Sequence, residues 1–441
     1  MKTSQTRRQF IGNTSKAAAG IGFSMVLGPR LLAQSKGAKE KIVLGLIGCG
    51  GMGLHNLRRL MQLGCEVAAV CDVDERHIEN AVAAVTKEGR LAPKRFKDFR
   101  LLLEQRDIDA VIIGTPDHWH ALPFIAACEA GKDIFCEKPI SQNFVEAKAM
   151  LSAARYFNRV VQVGTWQRSV KHFRDAVDFV HSGKMGEITV CRAWNVNALD
   201  SRNSNIGREQ PSAPPAELDY DFWLGPAARR PYQSNRAHYN WRWYFDYGGG
   251  LMTDWGAHMI DIVLMGMRET DPVSVTAAGG KFFTNDDRDT PDTLQAVYQF
   301  PKWILQWENR FNNGRGLDGG RGASAEFIGT KGTLLVDREG YQYFPEKEGN
   351  EAPAKFEKKE DSTHWQNFLD CIKSRRKPAS DIESQAKTTM LCHLGNIAWQ
   401  SGKVVRWDAE KQDVANRGDV KHCISYEREY RKPWKLKTYK A

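Results

Sequence analysis

The 441 residues carry 26% charged and 41% hydrophobic side chains, the balance of a globular chain long enough for two domains with separate cores. The formal charge is +10, and half of that excess comes from Lys2, Arg7, Arg8, Lys16 and Arg30, which face no acidic residue at the start of the chain. The remainder holds no long Lys/Arg run and no nucleic-acid-binding signature, which argues against DNA and RNA as partners.

Residues 1–38 read as an address. Thr6-Arg7-Arg8-Gln9-Phe10-Ile11 is a twin-arginine pattern, followed by a small and apolar stretch from Ala17 to Leu32, the arrangement that directs export across a bacterial membrane. Glycines and Pro29-Arg30 interrupt the stretch and argue against a permanent transmembrane helix. The expectation is export by the twin-arginine (Tat) machinery, cleavage near Ala33-Gln34 and a periplasmic or otherwise exported mature chain; an uncleaved amphipathic anchor is the alternative. The nine cysteines are odd in number and include no C-x-x-C pair. Cys49, Cys65, Cys71, Cys128 and Cys136 lie in or beside apolar runs and read as small buried hydrophobes in a chain that folds in a reducing compartment before export.

The apolar run Ile42 to Ile47 ends in Gly48-Cys49-Gly50-Gly51-Met52-Gly53, which predicts a strand, a tight turn and a helix start. In a dinucleotide fold Gly48 makes the turn, Gly50 admits the pyrophosphate to the backbone, and Gly53 lets the helix pack against the strand. A second run, Val67 to Val70, leads to Asp72, whose carboxylate suits the ribose hydroxyls and repels a 2′-phosphate, favouring NAD over NADP. Ala110 to Ile113, Asp133 to Phe135 and Val160 to Val163 alternate with helix-length segments. The pattern is that of a doubly wound parallel sheet, a Rossmann domain over residues 39–163.

Two strand ends carry chemistry. Thr115-Pro116-Asp117-His118-Trp119-His120 passes from strand to helix; His120 is expected to face the sheet edge, and at least one of the two histidines is expected to be structural. In Glu137-Lys138-Pro139 the proline holds Lys138 extended at the mouth of the cofactor crevice, a solvated charge being the bland alternative.

Residues 164–441 read as an α+β domain with a largely antiparallel open sheet. Ile188–196, 273–283, 293–300, 304–311 and 325–336 alternate like half-buried strands, and helices are expected over 362–374 and 382–400. Between Pro211 and Gly248 aromatic residues alternate with Arg, His and Asn; the cluster Tyr239, Asn240, Trp241 and Arg242 suits a carbohydrate ring, or else packs upon itself. Asp254 and His258 are four apart, which on a continuous helix puts them on one face and lets the carboxylate raise the proton affinity of the imidazole, as a general base needs. The spacing offers no third metal ligand, so no metal is expected.

Gly48-x-Gly-x-x-Gly53, Thr115-Pro116-x-x-x-His120, Glu137-Lys138-Pro139, Thr165-Trp166-Gln167-Arg168 and Gly248-Gly249-Gly250-x-x-x-Asp254-x-Gly256-x-His258-x-x-Asp261, in this order, resemble the Gfo/Idh/MocA oxidoreductase family. The resemblance implies cofactor contacts from Gly48, Gly50, Gly51, Met52, Gly53, Asp72, Thr115, Pro116, His120, Glu137, Lys138 and Gln167. It implies substrate contacts from Lys138, Arg168, Asp254 and His258, to which the composition of the aromatic stretch adds Tyr239, Asn240, Trp241 and Arg242, and a catalytic role for Lys138, Asp254 and His258, with either Lys138 or His258 as proton acceptor. It also implies a homo-oligomer, dimer or tetramer, assembled through the open sheet. The expected activity is NAD-dependent oxidation of a hydroxyl of a sugar, cyclitol or glycoside, at C3 by family analogy, with a tightly bound cofactor. An NAD-dependent glycoside hydrolase using transient redox and a non-catalytic exported sugar-binding module are the alternatives.

Overall fold

The computed structural model describes residues 41–440 apart from 198–202, 204, 312, 318–319, 348–355 and 358–362. The expected export segment and its cleavage site lie outside the described residues. Among those described, no helix is long and apolar enough to cross a membrane, and all nine cysteines are free and buried.

Six strands, β1 (Val43–Ile47), β2 (Glu66–Cys71), β3 (Lys94–Phe96), β4 (Ala110–Ile113), β5 (Asp133–Cys136) and β6 (Val161–Val163), form a parallel sheet in the order β3-β2-β1-β4-β5-β6. Every residue of β4 and β5 is buried, as strands covered on both faces require. The covering helices in this half are α1 (Gly51–Gln62), α2 (Glu75–Thr86), α3 (Phe99–Leu103), α4 (Ala121–Glu129) and α5 (Phe144–Tyr156). Asp74, Asp98 and Asn143 accept backbone N–H bonds at the starts of α2, α3 and α5. The strand order reverses between β1 and β4, which opens a crevice at their carboxyl ends, where Gly48 and Thr115 meet. The three-residue edge strand β3, polar at two of its positions, is absent from the sequence reading.

The rest of the chain runs α6 (Lys171–His181), β7 (Ile188–Val196), α7 (Tyr220–Leu224), α8 (Gly250–Asp254), α9 (Gly256–Met267), β8 (Ser274–Gly280), β9 (Thr293–Gln299) and β10 (Ile304–Arg310). It continues through β11 (Ala323–Gly329), β12 (Gly332–Val336), β13 (Gly340–Pro345), β14 (Phe356–Glu357), α10 (Thr363–Ser374), α11 (Ile382–Ser401), β15 (Val405–Asp408), β16 (Asp413–Val414) and α12 (Arg417–Val420). These strands build a ten-stranded sheet in the order β14-β13-β12-β11-β7-β10-β9-β8-β15-β16, antiparallel except where β10 lies parallel to β7. In β9 and β10 alternate residues are buried (Leu294, Ala296 and Tyr298; Leu305, Trp307 and Asn309), and α9 and α11 pack against this sheet. The single strand expected over 325–336 is instead a hairpin, β11 and β12 joined through Thr330 and Lys331.

The two halves share more than a boundary. α10 packs against the parallel sheet: Trp365 Nε1 donates to Asn56 Oδ1 on α1 at 2.9 Å, and Phe368 meets Phe135 of β5 edge to face. The charged tail, which carried no expectation, also returns. Arg428 forms a buried ion pair with Glu146 of α5, and Trp434 packs on Trp119 and Phe222.

Candidate active site

The glycine turn is built for close approach. Gly48 has φ +88°, and a Cβ there would lie 2.5 Å from the Thr115 backbone N, while a Cβ on Gly53 would lie 1.9 Å from the Gly48 carbonyl oxygen. Gly51 has no atom within 4 Å of such a Cβ and Gly50 meets only His77, so the backbone at the start of α1 faces open space. A helix N-terminus exposed in this way, with room where side chains would stand, fits a dinucleotide pyrophosphate. Asp72 Oδ2 accepts from Cys49 N at 2.7 Å and its Oδ1 from Asp74 N at 3.0 Å, which fixes the carboxylate at the rim of the turn.

A cavity of about 530 Å3 runs from this turn across the carboxyl edge of the sheet. Its near end is lined by Gly48, Gly50, Gly51, Met52, Asp72 and His77; its middle by Thr115, Pro116, His120 and Glu137; its far end by Lys138, Asp254, Tyr239, Trp241, Arg242 and Trp223. Most of the cofactor and substrate residues expected from sequence therefore border one space, though they come from β1, β2, β4, β5, α8 and the aromatic loop.

Lys138, just beyond β5, spans to α8: Nζ donates to Asp254 Oδ1 at 2.7 Å and to the Asp254 carbonyl at 2.8 Å. Burial alone would raise the Asp254 carboxyl, but Lys138, Arg242 and Arg338 outweigh it and hold it below the usual range. The expected Asp254–His258 pairing is corrected by the structure. The helix breaks at Trp255, so Asp254 closes α8 while His258 lies in α9, and the carboxylate turns to Lys138. His258 is buried with Nδ1 unpartnered, and burial, aided by Lys138 and Arg338, pushes its imidazole well below the ordinary value. The imidazole is thus neutral, its proton affinity lowered where the spacing predicts a rise.

Other expected residues are placed differently along the cavity. His120 is buried between the two strand ends, with Nδ1 2.8 Å from the Pro139 carbonyl and Nε2 2.9 Å from the Thr115 carbonyl; burial pushes it down to about 4, and the neutral ring has one N–H to donate to one of the two. His118 sits against the Trp223 carbonyl at 2.9 Å in an aromatic cluster. Glu137 Oε1 accepts from Asn56 at 2.6 Å, and Gly164 leaves room for that carboxyl. Gln167 is buried beside Arg338, 3.4 Å from its Nη2. Arg168, expected at the substrate, makes a bidentate pair with buried Asp261 at 2.7 and 2.8 Å, and Gln385 and Thr388 complete that carboxylate. Of the residues expected at the site, Gly53, Gln167, Arg168, Asn240 and His258 are not among those that line the cavity. The aromatic loop divides: Trp243, Tyr244 and Tyr247 form its own core, while Tyr239, Trp241 and Arg242 face the cavity.

Sequence reasoning missed two features. Arg338, between β12 and β13, lies over Trp255 at 4.4 Å and Trp166 at 5.1 Å; no motif marks it. Asp74, His77 and His238 come close enough to hold a metal ion. The Asp74 carboxylate there already accepts from the Arg76 backbone and guanidinium and from His238, which leaves a cation little to bind.

Comparison with known proteins agrees with this geometry. The family model described as oxidoreductase family, NAD-binding Rossmann fold, matches residues 42–165, and its companion, the C-terminal alpha/beta domain, matches residues 166–436. The chain belongs to the Gfo/Idh/MocA oxidoreductase family, and its parallel-sheet domain is that family's NAD-binding module. An inositol 2-dehydrogenase from Salmonella paratyphi B is 29% identical over 157 residues, 35% of this chain and 46% of that protein. A glycosyl hydrolase family 109 protein from Shewanella pealeana is 26% identical over 227 residues, 45% and 49% of the two chains. The chain thus spans about half the length of the curated relatives it matches. Among solved structures, levoglucosan dehydrogenase in complex with NADH and levoglucosan aligns with TM-score 0.63 at 18% identity, over 83% of this chain and 99% of that one. An aldose–aldose oxidoreductase from Caulobacter crescentus complexed with glycerol aligns with TM-score 0.60 at 18% identity, over 83% and 99%. At these identities the likeness is one of fold.

Proposed function

We propose that the chain is an NAD-dependent dehydrogenase that oxidises a hydroxyl of a sugar, cyclitol or glycoside, with C3 as the carbon in a glycoside. The observation that carries this is the Lys138–Asp254 pair at the far end of the cavity that begins at the glycine turn. A bound NAD supplies a hydride acceptor. Lys138, oriented by Asp254, donates to the carbinol oxygen and stabilises the negative charge that grows as the C–H bond breaks. His258, neutral because it is buried beside cations, accepts the hydroxyl proton. Gly48 to Gly53, Asp72 and Thr115 hold the dinucleotide, and Tyr239, Trp241 and Arg242 hold the sugar.

The twin-arginine pattern supports export, and since free NAD is scarce outside the cytoplasm the cofactor travels bound and is reoxidised in place. Assembly as a dimer or tetramer through the open face of the ten-stranded sheet completes the proposal. A second reading has support in the name of the family 109 relative: hydrolysis through transient oxidation, with no net redox change. Mass analysis of products from a glycoside panel separates the two. Substrate lighter by two hydrogens with reduced cofactor supports the dehydrogenase; a free reducing sugar with unchanged cofactor supports the hydrolase; no product with any glycoside leaves a sugar-binding module.

A further inference from the structure

One wall of the cofactor cavity comes from outside the nucleotide domain. Phe222 and Trp223 of α7, with His238, Tyr239 and Trp241 further along the same loop, line the space that begins at Gly48 and Gly50. A dinucleotide seated on the glycine turn therefore faces this loop, and the loop's position governs how the cofactor enters and leaves. α7 is five residues long, too short to hold itself in place, so its position comes from what it touches.

It touches the nucleotide domain first. The Asp219 backbone N–H donates to the Val73 carbonyl at 2.9 Å, Trp119 Nε1 donates to the Trp223 carbonyl at 2.8 Å, and Phe222 stacks on Trp119 with ring centroids 5.4 Å apart. The approach is close, since a Cβ at Gly225, which ends α7, would lie 2.0 Å from the Trp119 ring. The second contact is the C-terminal tail. Beyond α12 the described residues form no helix or strand, and side chains carry most of the docking. Tyr426 stacks on Phe144 and Arg428 pairs with buried Glu146, which anchors the start of the tail on α5.

From that anchor Arg431 engages α7 with its whole guanidinium. Nε donates to the Gly225 carbonyl at 2.8 Å, Nη1 to Asp221 Oδ1 at 2.5 Å and Nη2 to the Asp221 carbonyl at 2.6 Å, three bonds from one planar fork that fix the orientation of the helix end. Trp434 then meets Phe222 edge-on at 5.5 Å and Trp119 edge-on at 4.9 Å, so one tail side chain contacts both rings of the stack. Arg431 and Trp434 are not among the residues that line the cavity; they act on it through Phe222 and Trp119, which are.

We propose that Arg431 and Trp434 are positioning residues for the cofactor: the tail clasps α7 against the nucleotide domain, and NAD(H) leaves only as fast as that clasp opens. This rests on NAD binding at the glycine turn and is independent of which sugar is oxidised. The test is the dissociation rate of NADH, read from its fluorescence when the NADH-loaded full chain is mixed with excess NAD, with a thermal melt of each protein. Trp434→Ala and Arg431→Met are compared with Trp434→Phe and with Lys437→Met, a control further along the tail whose ammonium pairs with Glu129 of α4 at 2.8 Å. The expected result is release about tenfold or more faster in Trp434→Ala and Arg431→Met, an intermediate rate in Trp434→Phe, and a rate within about twofold of the parent in Lys437→Met. Parental rates in both test variants, equal acceleration in Lys437→Met, or acceleration confined to variants that lose their cooperative melt would each overturn the proposal. Should Trp434→Ala fail to fold, Arg431→Met, which removes a partly exposed guanidinium, decides alone. Rapid loss of NADH from the parent, with the test variants faster still, would sink retention of the cofactor during export and leave the clasp standing.

Discussion

Lys138 and Asp254, separated by 116 residues, meet through two hydrogen bonds from one ammonium, 2.7 Å to the carboxylate and 2.8 Å to the carbonyl. The strand that precedes the lysine belongs to the nucleotide domain and the helix that delivers the aspartate to the second half of the chain, so the contact joins the two at the far end of the cavity.

If Lys138 stabilises the developing alkoxide and His258 takes the proton, Lys138→Met and His258→Ala each lower turnover by roughly 10²- to 10⁴-fold with NAD retention near normal. The pH profile gives a sharper check. His258 must be neutral to act, and its lowered proton affinity keeps the acid limb of kcat below the ordinary histidine range. Removing the Lys138 charge takes away a group that disfavours imidazolium, so the limb of the residual activity in Lys138→Met moves to higher pH, while burial still holds it below about 6.5. A limb that stays put, or moves to lower pH, means that His258 is not the titrating group.

The glycine turn makes a paired prediction. Gly53→Ala drives a methyl into the Gly48 carbonyl, and Gly48→Ala combines that crowding with a left-handed backbone; both are expected to lose stability by several kcal/mol, or about 3 or more, together with NAD binding. Gly51→Ala meets open space and leaves Tm within a few degrees, although the added methyl stands where the cofactor would lie. Thermal melts with and without NAD read both effects, and equal Tm values for the three variants would contradict the packing described.

Arg168 looked like a substrate ligand in the sequence and is a brace in the structure. Arg168→Met leaves buried Asp261 with only Gln385 and Thr388, and the expected cost is about 3 kcal/mol of stability, the range for breaking a buried ion pair. Denaturant unfolding measures it. A raised KM at unchanged stability would return Arg168 to the substrate.

Acid should destabilise the fold through its buried histidines. Burial pushes His118 and His364 down to about 3 and His120 and His393 down to about 4. The unfolded chain takes up those protons near pH 6.5, so as pH falls from about 6.5 toward 4 the unfolded state binds more protons and stability drops, by up to about 1.4 kcal/mol per pH unit for each histidine. Above about pH 6.5 this contribution is constant. Melting temperatures taken from pH 7.5 down to 5 should therefore fall only in the lower part of the range, and His364→Asn should flatten the slope; a Tm independent of pH would exclude the effect.

What was legible in the sequence is what local pattern encodes. The largely apolar runs of β1, β2, β4, β5 and β6 and the glycine spacing identify the nucleotide domain because a strand covered on both faces must be apolar along most of its length. β3 escaped because Lys94 and Arg95 sit on an exposed edge where no apolar alternation is needed. The β11–β12 hairpin was hidden by continuous apolar alternation, although Gly329 and Gly332 flanking Thr330-Lys331 are the residues a tight turn uses. Four-residue spacing misled at Asp254 and His258 because a helix can break between them. Arg338 and the returning tail carry no motif: they acquire meaning only when a strand turn is folded against Trp255, or Trp434 against Trp119.

The most direct test of carbinol oxidation at the Lys138–Asp254 end of the cavity follows the hydrogen itself. Protein purified with NAD is incubated, without an external electron acceptor, with a sugar or glycoside uniformly deuterated on carbon, and both cofactor and sugar are weighed by mass spectrometry. Oxidation at the site predicts reduced cofactor carrying one deuterium, and a product that has lost one deuterium from carbon and one proton from its hydroxyl. Lys138→Met should slow both changes in parallel. Release of a free sugar with every deuterium in place or returned, and a cofactor that ends oxidised and unlabelled, would contradict it.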